Sequence, residues 1–197
     1  PHVVDCIRAS GIADRLLLVS FRHDLLQQAK ALMPELRIGV LTLGDLLSMM
    51  LPPPVIWQDL GLVNSMDEPL DEENCPALKK QVGMVSSVIS DKLTLIAALY
   101  PQMSVRQILA TLSAQADPAA YVQMLGFPVE LVSCEYHTAF ANPEVVNQLH
   151  DIGCKAAFWT VNTEDVVRSL VPLGPDCFVT DRPDVIREWI EKAQTET

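Results

Sequence analysis

Four short clusters in this chain combine ionisable, amide and aromatic side chains at spacings that allow chemistry. They are Ser20-Phe21-Arg22-His23-Asp24, Glu135-Tyr136-His137, Trp159-Thr160-Val161-Asn162 and Thr180-Asp181-Arg182-Pro183-Asp184. Glu135 and His137 flank the end of a strand-like run and could face one pocket. There a carboxylate and an imidazole serve acid–base work or hold a metal. A structural carboxylate is the plainer reading, and both stand. Trp159 and Phe21 offer apolar ring faces, either as opposite walls of a pocket or as core aromatics. Asn162 and Asp181 can each bind a polar ligand or cap the helix that follows; Thr163 shares the first of those capping roles. His23-Asp24 opens a helix, which makes Asp24 first-turn helix chemistry and not half of a catalytic pair. His2 and His150 are expected on the surface or on a helix.

These clusters need elements to hold them, and one local grammar recurs three times. Val3 to Ser10 reads as a helix closed by Gly11, with Leu16-Leu17-Leu18-Val19 following as a strand. Val145 to Ile152 closes at Gly153 and leads into Ala156 to Val161; Val166 to Leu173 closes at Gly174 and leads into Cys177 to Thr180. A glycine after the last periodic residue supplies the left-handed turn that ends a helix. The second helix carries Asn142 as expected N-cap, Pro143 at the first helical position and Glu144 in the first turn. Its apolar positions Val145, Val146, Leu149 and Ile152 share a face. The strands are continuous apolar runs, the pattern of strands buried on both faces of a parallel sheet. Leu25 to Met33 adds a helix stopped by Pro34, and Arg37 to Leu41 a further strand. Helices alternating with buried strands make an α/β protein of crossover units. Periodicity leaves an open doubly wound sheet and a closed barrel both possible, and all four clusters fall at the C-terminal strand ends, where such folds bind ligands.

From Thr42 to about Gly126 the pattern is mostly helical and longer than a crossover needs. Pro52-Pro53-Pro54 interrupts it. Asp67 to Glu73 is an acidic loop, expected as solvated surface. Ser104 is the expected N-cap of a helix with Val105, Ile108, Leu109 and Leu112 inward, and Asp117-Pro118 opens another that ends at Gly126.

Composition sets outer limits. The 197 residues are 49% hydrophobic and 20% charged, enough for one ordinary domain with a core. With 25 acids against 14 Lys and Arg the net charge is −11, which excludes a nucleic-acid partner. An acidic protein acting on an anionic substrate would need a cation to offset the repulsion. Five dispersed cysteines (Cys6, Cys75, Cys134, Cys154, Cys177) form no disulfide or zinc pattern and are expected as buried, reduced thiols. Val40 to Leu51 and Met84 to Tyr100 are apolar but too short or too charged to span a membrane. The opening Pro1-His2-Val3-Val4-Asp5 reads as a cut inside a helix; without a signal peptide the default location is cytoplasmic.

Trp159-Thr160-Val161-Asn162 after a helix ending in Gly153 resembles the glycerophosphodiester phosphodiesterase family. The likeness continues through Leu173-Gly174-Pro175-Asp176 and Thr180-Asp181-Arg182-Pro183-Asp184. Upstream, Leu18-Val19-Ser20-Phe21, Pro34 and Ile38-Gly39-Val40-Leu41 resemble the family's mid-barrel strands, so the matching stretches are roughly 3–41 and 129–190. Pro175 and Cys177 depart from the Val and Gly usual in that approach. The resemblance implies an α/β fold that is the C-terminal portion of a (β/α)8 TIM-type barrel. It would form one partial barrel domain over residues 1–197, with 42–126 as a helical insertion or divergent segment. It implies hydrolysis of a small-molecule glycerophosphodiester to glycerol 3-phosphate and an alcohol. In the family two histidines act as acid and base, and the resemblance implies carboxylates that hold a divalent cation, Mg or Ca. The family's His-Arg-Gly, Glu-x-Asp, His-Asp and Glu-x-Lys segments are not found here in order. Catalytic groups and metal ligands are therefore expected upstream of Pro1. Phe21, Glu135, Trp159, Asn162 and Asp181 are left to shape the substrate pocket. Such a barrel needs its remaining strands, or a partner chain, to close the sheet. Two other readings stay open: a non-enzymatic degenerate barrel that binds or regulates, and an unrelated phosphate-binding barrel. The second lacks a glycine cluster among the eight glycines.

Overall fold

Val4 and Ile7 are one helical turn apart on α1 (His2–Ser10) and both are buried, so this short amphipathic helix docks by a single stripe. The computed structural model describes residues 2–44, 51–76, 78, 80 and 87–195. After α1 come β1 (Leu17–Ser20), α2 (His23–Leu32) and β2 (Arg37–Thr42). Then follow α3 (Ser87–Leu99), α4 (Val105–Ala114) and α5 (Pro118–Met124). The last third holds β3 (Leu131–Glu135), α6 (His137–Ala141), α7 (Val145–Asp151), β4 (Lys155–Trp159), α8 (Glu164–Leu170), β5 (Cys177–Phe178) and α9 (Ile186–Thr195). The chain divides into two compact units, one of residues 1–44 with 117–197 and one of residues 45–116.

The first unit is a five-stranded, all-parallel sheet in the order β1-β2-β3-β4-β5. A doubly wound sheet reverses its strand order at a switch point; strict chain order is that of successive barrel staves. Alternation along each strand splits the side chains between two faces. Ile38, Val40, Val132, Cys134, Ala156 and Phe158 face the helices and pack with Leu26, Val146, Leu149, Val167 and Leu170. Each buried Val, Leu, Ile or Phe among them contributes roughly 1.5–3 kcal/mol relative to exposure. Leu41, Ser133, Glu135, Ala157 and Trp159 occupy the other face. On that face the rings of Phe21, after β1, and Trp159, on β4, meet edge-on at 5.2 Å.

Several expectations shift in detail. Burial on both faces holds for β2, β3 and β4, whereas β1 and β5, at the sheet's edges, are only partly covered. The glycines that close helices do so as expected, with φ of 68° at Gly11, 78° at Gly153 and 72° at Gly174. Asn142 does not cap α7, which begins only at Val145. Its Oδ1 accepts from the Glu144 amide two residues on, closing a turn of its own, and Pro143 and Glu144 stay outside the helix. Cys75, Cys134 and Cys154 are buried, but Cys6 lies on the outer side of α1 and Cys177 on edge strand β5, both exposed. His150, on α7, is tied to Asp176, with Nε2 2.8 Å from Oδ2.

In the second unit Ser104 is the N-cap of α4 as expected, and Gln107 returns the bond to make the cap reciprocal; Val105, Ile108 and Leu112 are buried and Leu109 partly so. The stretch is less helical than its pattern suggests. Residues 51–76 are turns with one 3-10 segment, Pro54–Ile56, built around polar side chains that hydropathy does not register. Asn74, 2% exposed, donates to the carbonyls of Ser65 and Pro69 and accepts from the Ser65 amide. Asp71 accepts from the amides of Glu73 and Asn74. Elsewhere in the acidic run Asp67 pairs with Arg106 at 2.8 Å. No described helix is long and apolar enough to cross a membrane. Of the two apolar stretches, residues 45–50 and 84–86 lie outside the described residues. In the first unit Asp117 accepts from the Ala120 amide and caps α5, with Pro118 at its first position.

Candidate functional site

The parallel sheet brings the ends of β1, β3, β4 and β5 to one edge, and the four clusters lie along it. Glu135 ends β3 and is paired in register with Trp159 at the end of β4. Its side chain is 1% exposed. The Glu135 carboxylate accepts from the backbone N–H of His137 at 2.9 Å and meets the ring Nδ1 at 3.0 Å. Tyr136 stacks on the His137 ring with centroids 4.2 Å apart, and Phe140 meets it edge-on at 5.8 Å. Glu135 and His137 are thus brought together as one unit.

Trp159 is 7% exposed, and its Nε1 donates to the Ser133 carbonyl at 3.0 Å. A buried indole with its N–H satisfied is an anchored wall, and Phe21, half-buried, is the ring it leans on. The Trp159–Thr160 peptide is cis.

Asn162 and Asp181 are also brought together, and neither caps a helix. Asn162 Nδ2 donates to Asp181 Oδ2 at 2.8 Å. Its Oδ1 accepts from the Thr180 hydroxyl at 3.1 Å and the Asp181 amide at 2.9 Å. Thr163 is the N-cap residue of α8 but makes no side-chain cap. Before α9 the amides of Val185 and Ile186 turn to the Arg182 carbonyl. The two sequence motifs, separated by 18 to 19 residues, therefore meet as a single hydrogen-bonded clasp. Capping propensity pointed to the wrong partner because the nearest helix is not the nearest unsatisfied backbone.

His23 and Asp24 face different surroundings. Asp24 accepts from Nε and Nη2 of Arg22, which holds its carboxyl below the usual range. His23 is 8% exposed, its Nδ1 2.7 Å from the Tyr121 hydroxyl and its Nε2 2.9 Å from the Leu41 carbonyl. A carbonyl only accepts, so Nε2 carries the proton and Nδ1 accepts from Tyr121. Burial lowers its pKa. The motifs gave no sign of this role, because Tyr121 lies 98 residues away.

A concavity of about 380 Å³ lies in the other unit, among Leu70, Cys75, Leu78 and Leu93. Its lining also includes Asp71, Glu72 and Lys80, whereas the four clusters belong to the strand ends of the sheet in the first unit. Among the described residues no three His, Cys, Asp or Glu side chains converge as ligands of a metal ion. The donor set that the described residues offer does not fit a divalent cation.

The family model for glycerophosphoryl diester phosphodiesterases matches residues 70–185. That span takes in both halves of the Asn162 clasp and the Glu135–His137 pair, and leaves the 3–41 stretch outside. It also takes in residues 70–126, where the motifs carried no likeness. No curated protein matches the chain. A candidate glycerophosphoryl diester phosphodiesterase from Silicibacter pomeroyi DSS-3 superposes with a TM-score of 0.53 at 20% identity. The match covers 98% of this chain and 43% of that one, so the chain spans less than half of that protein's length. A glycerophosphodiester phosphodiesterase from Parabacteroides distasonis ATCC 8503 matches at 14% identity over 87% of this chain and 64% of that one, with a TM-score of 0.35. The first likeness speaks for the fold. The family match covers more than half of the chain and includes the clasp, so the chain belongs to the glycerophosphoryl diester phosphodiesterase family.

Proposed function

We propose that this chain is the C-terminal portion of a (β/α)8-barrel phosphodiesterase that hydrolyses a small glycerophosphodiester to glycerol 3-phosphate and an alcohol. On this reading the chain supplies the substrate-shaping half of the active-site rim. Catalytic histidines and the carboxylates for a divalent cation belong to the strands that complete the barrel. The observation that carries the reading is the strand order: five parallel strands in strict chain order are five successive staves, where the barrel needs eight. The 43% coverage of the Silicibacter pomeroyi protein supports it. Phe21, Glu135, Trp159, Asn162 and Asp181 all lie at the strand-end edge that such barrels use for ligands. Trp159 and Phe21 serve as apolar wall, and the Asn162–Asp181 clasp fixes the loop after β5.

The test is release of glycerol 3-phosphate from glycerophosphocholine with Mg²⁺, with Ca²⁺ and with EDTA. The chain alone is expected to be inactive in all three. Supplying a polypeptide with the His-Arg-Gly and Glu-x-Asp strands is expected to give EDTA-sensitive turnover. EDTA-sensitive turnover by the chain alone would overturn this placement of the chemistry.

A further inference from the structure

The Glu135–His137 pair resolves into a directional hydrogen-bonding device, on the reading that the strand-end edge holds substrate. A carboxylate only accepts, so the His137 imidazole must present its hydrogen on Nδ1. In the neutral ring Nε2 then carries the lone pair. Tyr136 on one ring face and Phe140 at the edge limit rotation of the ring. His137 is one-quarter exposed, and its Nε2 has no hydrogen-bond partner among the described residues. One pleat below Glu135, on the same face of β3, the Ser133 hydroxyl is buried and has no partner either. Buried polar atoms are rarely left unpaired without a reason in ligand or solvent.

We propose that His137 Nε2 is the acceptor for a hydroxyl of the substrate, so that the β3 edge recognises the neutral polyol end of a glycerophosphodiester. Charge decides between the two ends of that molecule. A phosphate placed at His137 would lie beside the buried Glu135 carboxylate, where like charges are poorly screened. An alcohol O–H instead donates into the lone pair, and its dipole is drawn the same way by the carboxylate behind the ring. Glu135 acts through His137 and is a positioning residue; His137 sets specificity.

The test compares glycerol 3-phosphate with ethyl phosphate, which keeps the phosphate and lacks the hydroxyls. Heteronuclear NMR of the histidine-labelled chain is expected to show His137 as the Nδ1–H tautomer. Glycerol 3-phosphate should bind about fivefold more tightly than ethyl phosphate and alone should move the Nε2 resonance, the scale of one net hydrogen bond. His137→Phe, which keeps a stacking ring, should level the two affinities; His137→Gln, which keeps an acceptor, should restore part of the difference. Equal affinities for the unsubstituted chain, or an Nε2–H tautomer, would overturn the proposal whatever the variants do. If neither compound binds, the substrate-end reading of this edge fails, and this proposal with it.

Discussion

Between Tyr121 and the Leu41 carbonyl the His23 ring has room for one neutral tautomer, and burial lowers its pKa below the ordinary 6.5. The unfolded chain therefore takes up the proton first as pH falls. The resulting contribution to stability is complete above about pH 6.5 and is lost as pH falls through the lower folded value. His23→Gln keeps a donor and an acceptor but cannot titrate. Its urea-unfolding free energy is expected to fall less steeply between pH 7.5 and 5 than that of the parent; equal slopes would refute the assignment. Asn162 offers a second test at the same scale. Asn162→Ala removes three hydrogen bonds from a half-exposed clasp and should cost about 1 kcal/mol. Asn162→Asp should cost more, because a carboxylate then replaces the amide that donates to Asp181. Denaturant midpoints in that order would support the clasp, and the reverse order would exclude it.

At the level of elements, the sequence was most legible where a single local rule decides. The Ser104 cap of α4 is such a case: serine at the cap and glutamine three residues on satisfy each other across one turn. Ser104→Ala is expected to cost about 1 kcal/mol, readable in thermal unfolding. The helix-closing glycines and the apolar runs of β2 and β4 were legible for the same reason. Where a side chain had a choice of partners, local rules failed. Asn142 chose a turn over a cap, and Asn162 chose the strand-end segment 18 residues on over its own helix. Asn74 organises residues 65–74 by contacts that no periodicity marks. Gly44 shows what a composition count cannot reveal. Its φ is 63°, and an added Cβ would lie 2.7 Å from Thr138 Oγ1 on α6, the helix that carries His137. Gly44→Ala combines a left-handed backbone with that clash and should destabilise by roughly 1–3 kcal/mol. A melting temperature unchanged from the parent would mean that this close approach does not hold α6 in place.

For the molecule as a whole, β1 poses a question that no single residue answers. It pairs with β2 alone among the described strands, and all four of its residues are only partly covered. Beside it a concavity of about 270 Å³ is lined by Val3, Leu18, Leu25, Ala29 and Leu32. Three of these, Val3, Leu25 and Leu32, are 57%, 49% and 46% exposed. A parallel strand edge next to an apolar groove favours association. If the chain is five staves of an eight-stave barrel, its isolated form should self-associate with rising concentration in sedimentation velocity. Replacing Leu25 and Leu32 together by Lys should raise the monomer fraction without lowering the melting temperature by more than a degree or two, because both side chains already face solvent. On the same premise, adding strands that pair with β1 should abolish association and bury the groove. A parent chain that stays monomeric over the same range would mean that the β1 edge is tolerated as it stands, and would count against the eight-stave reading.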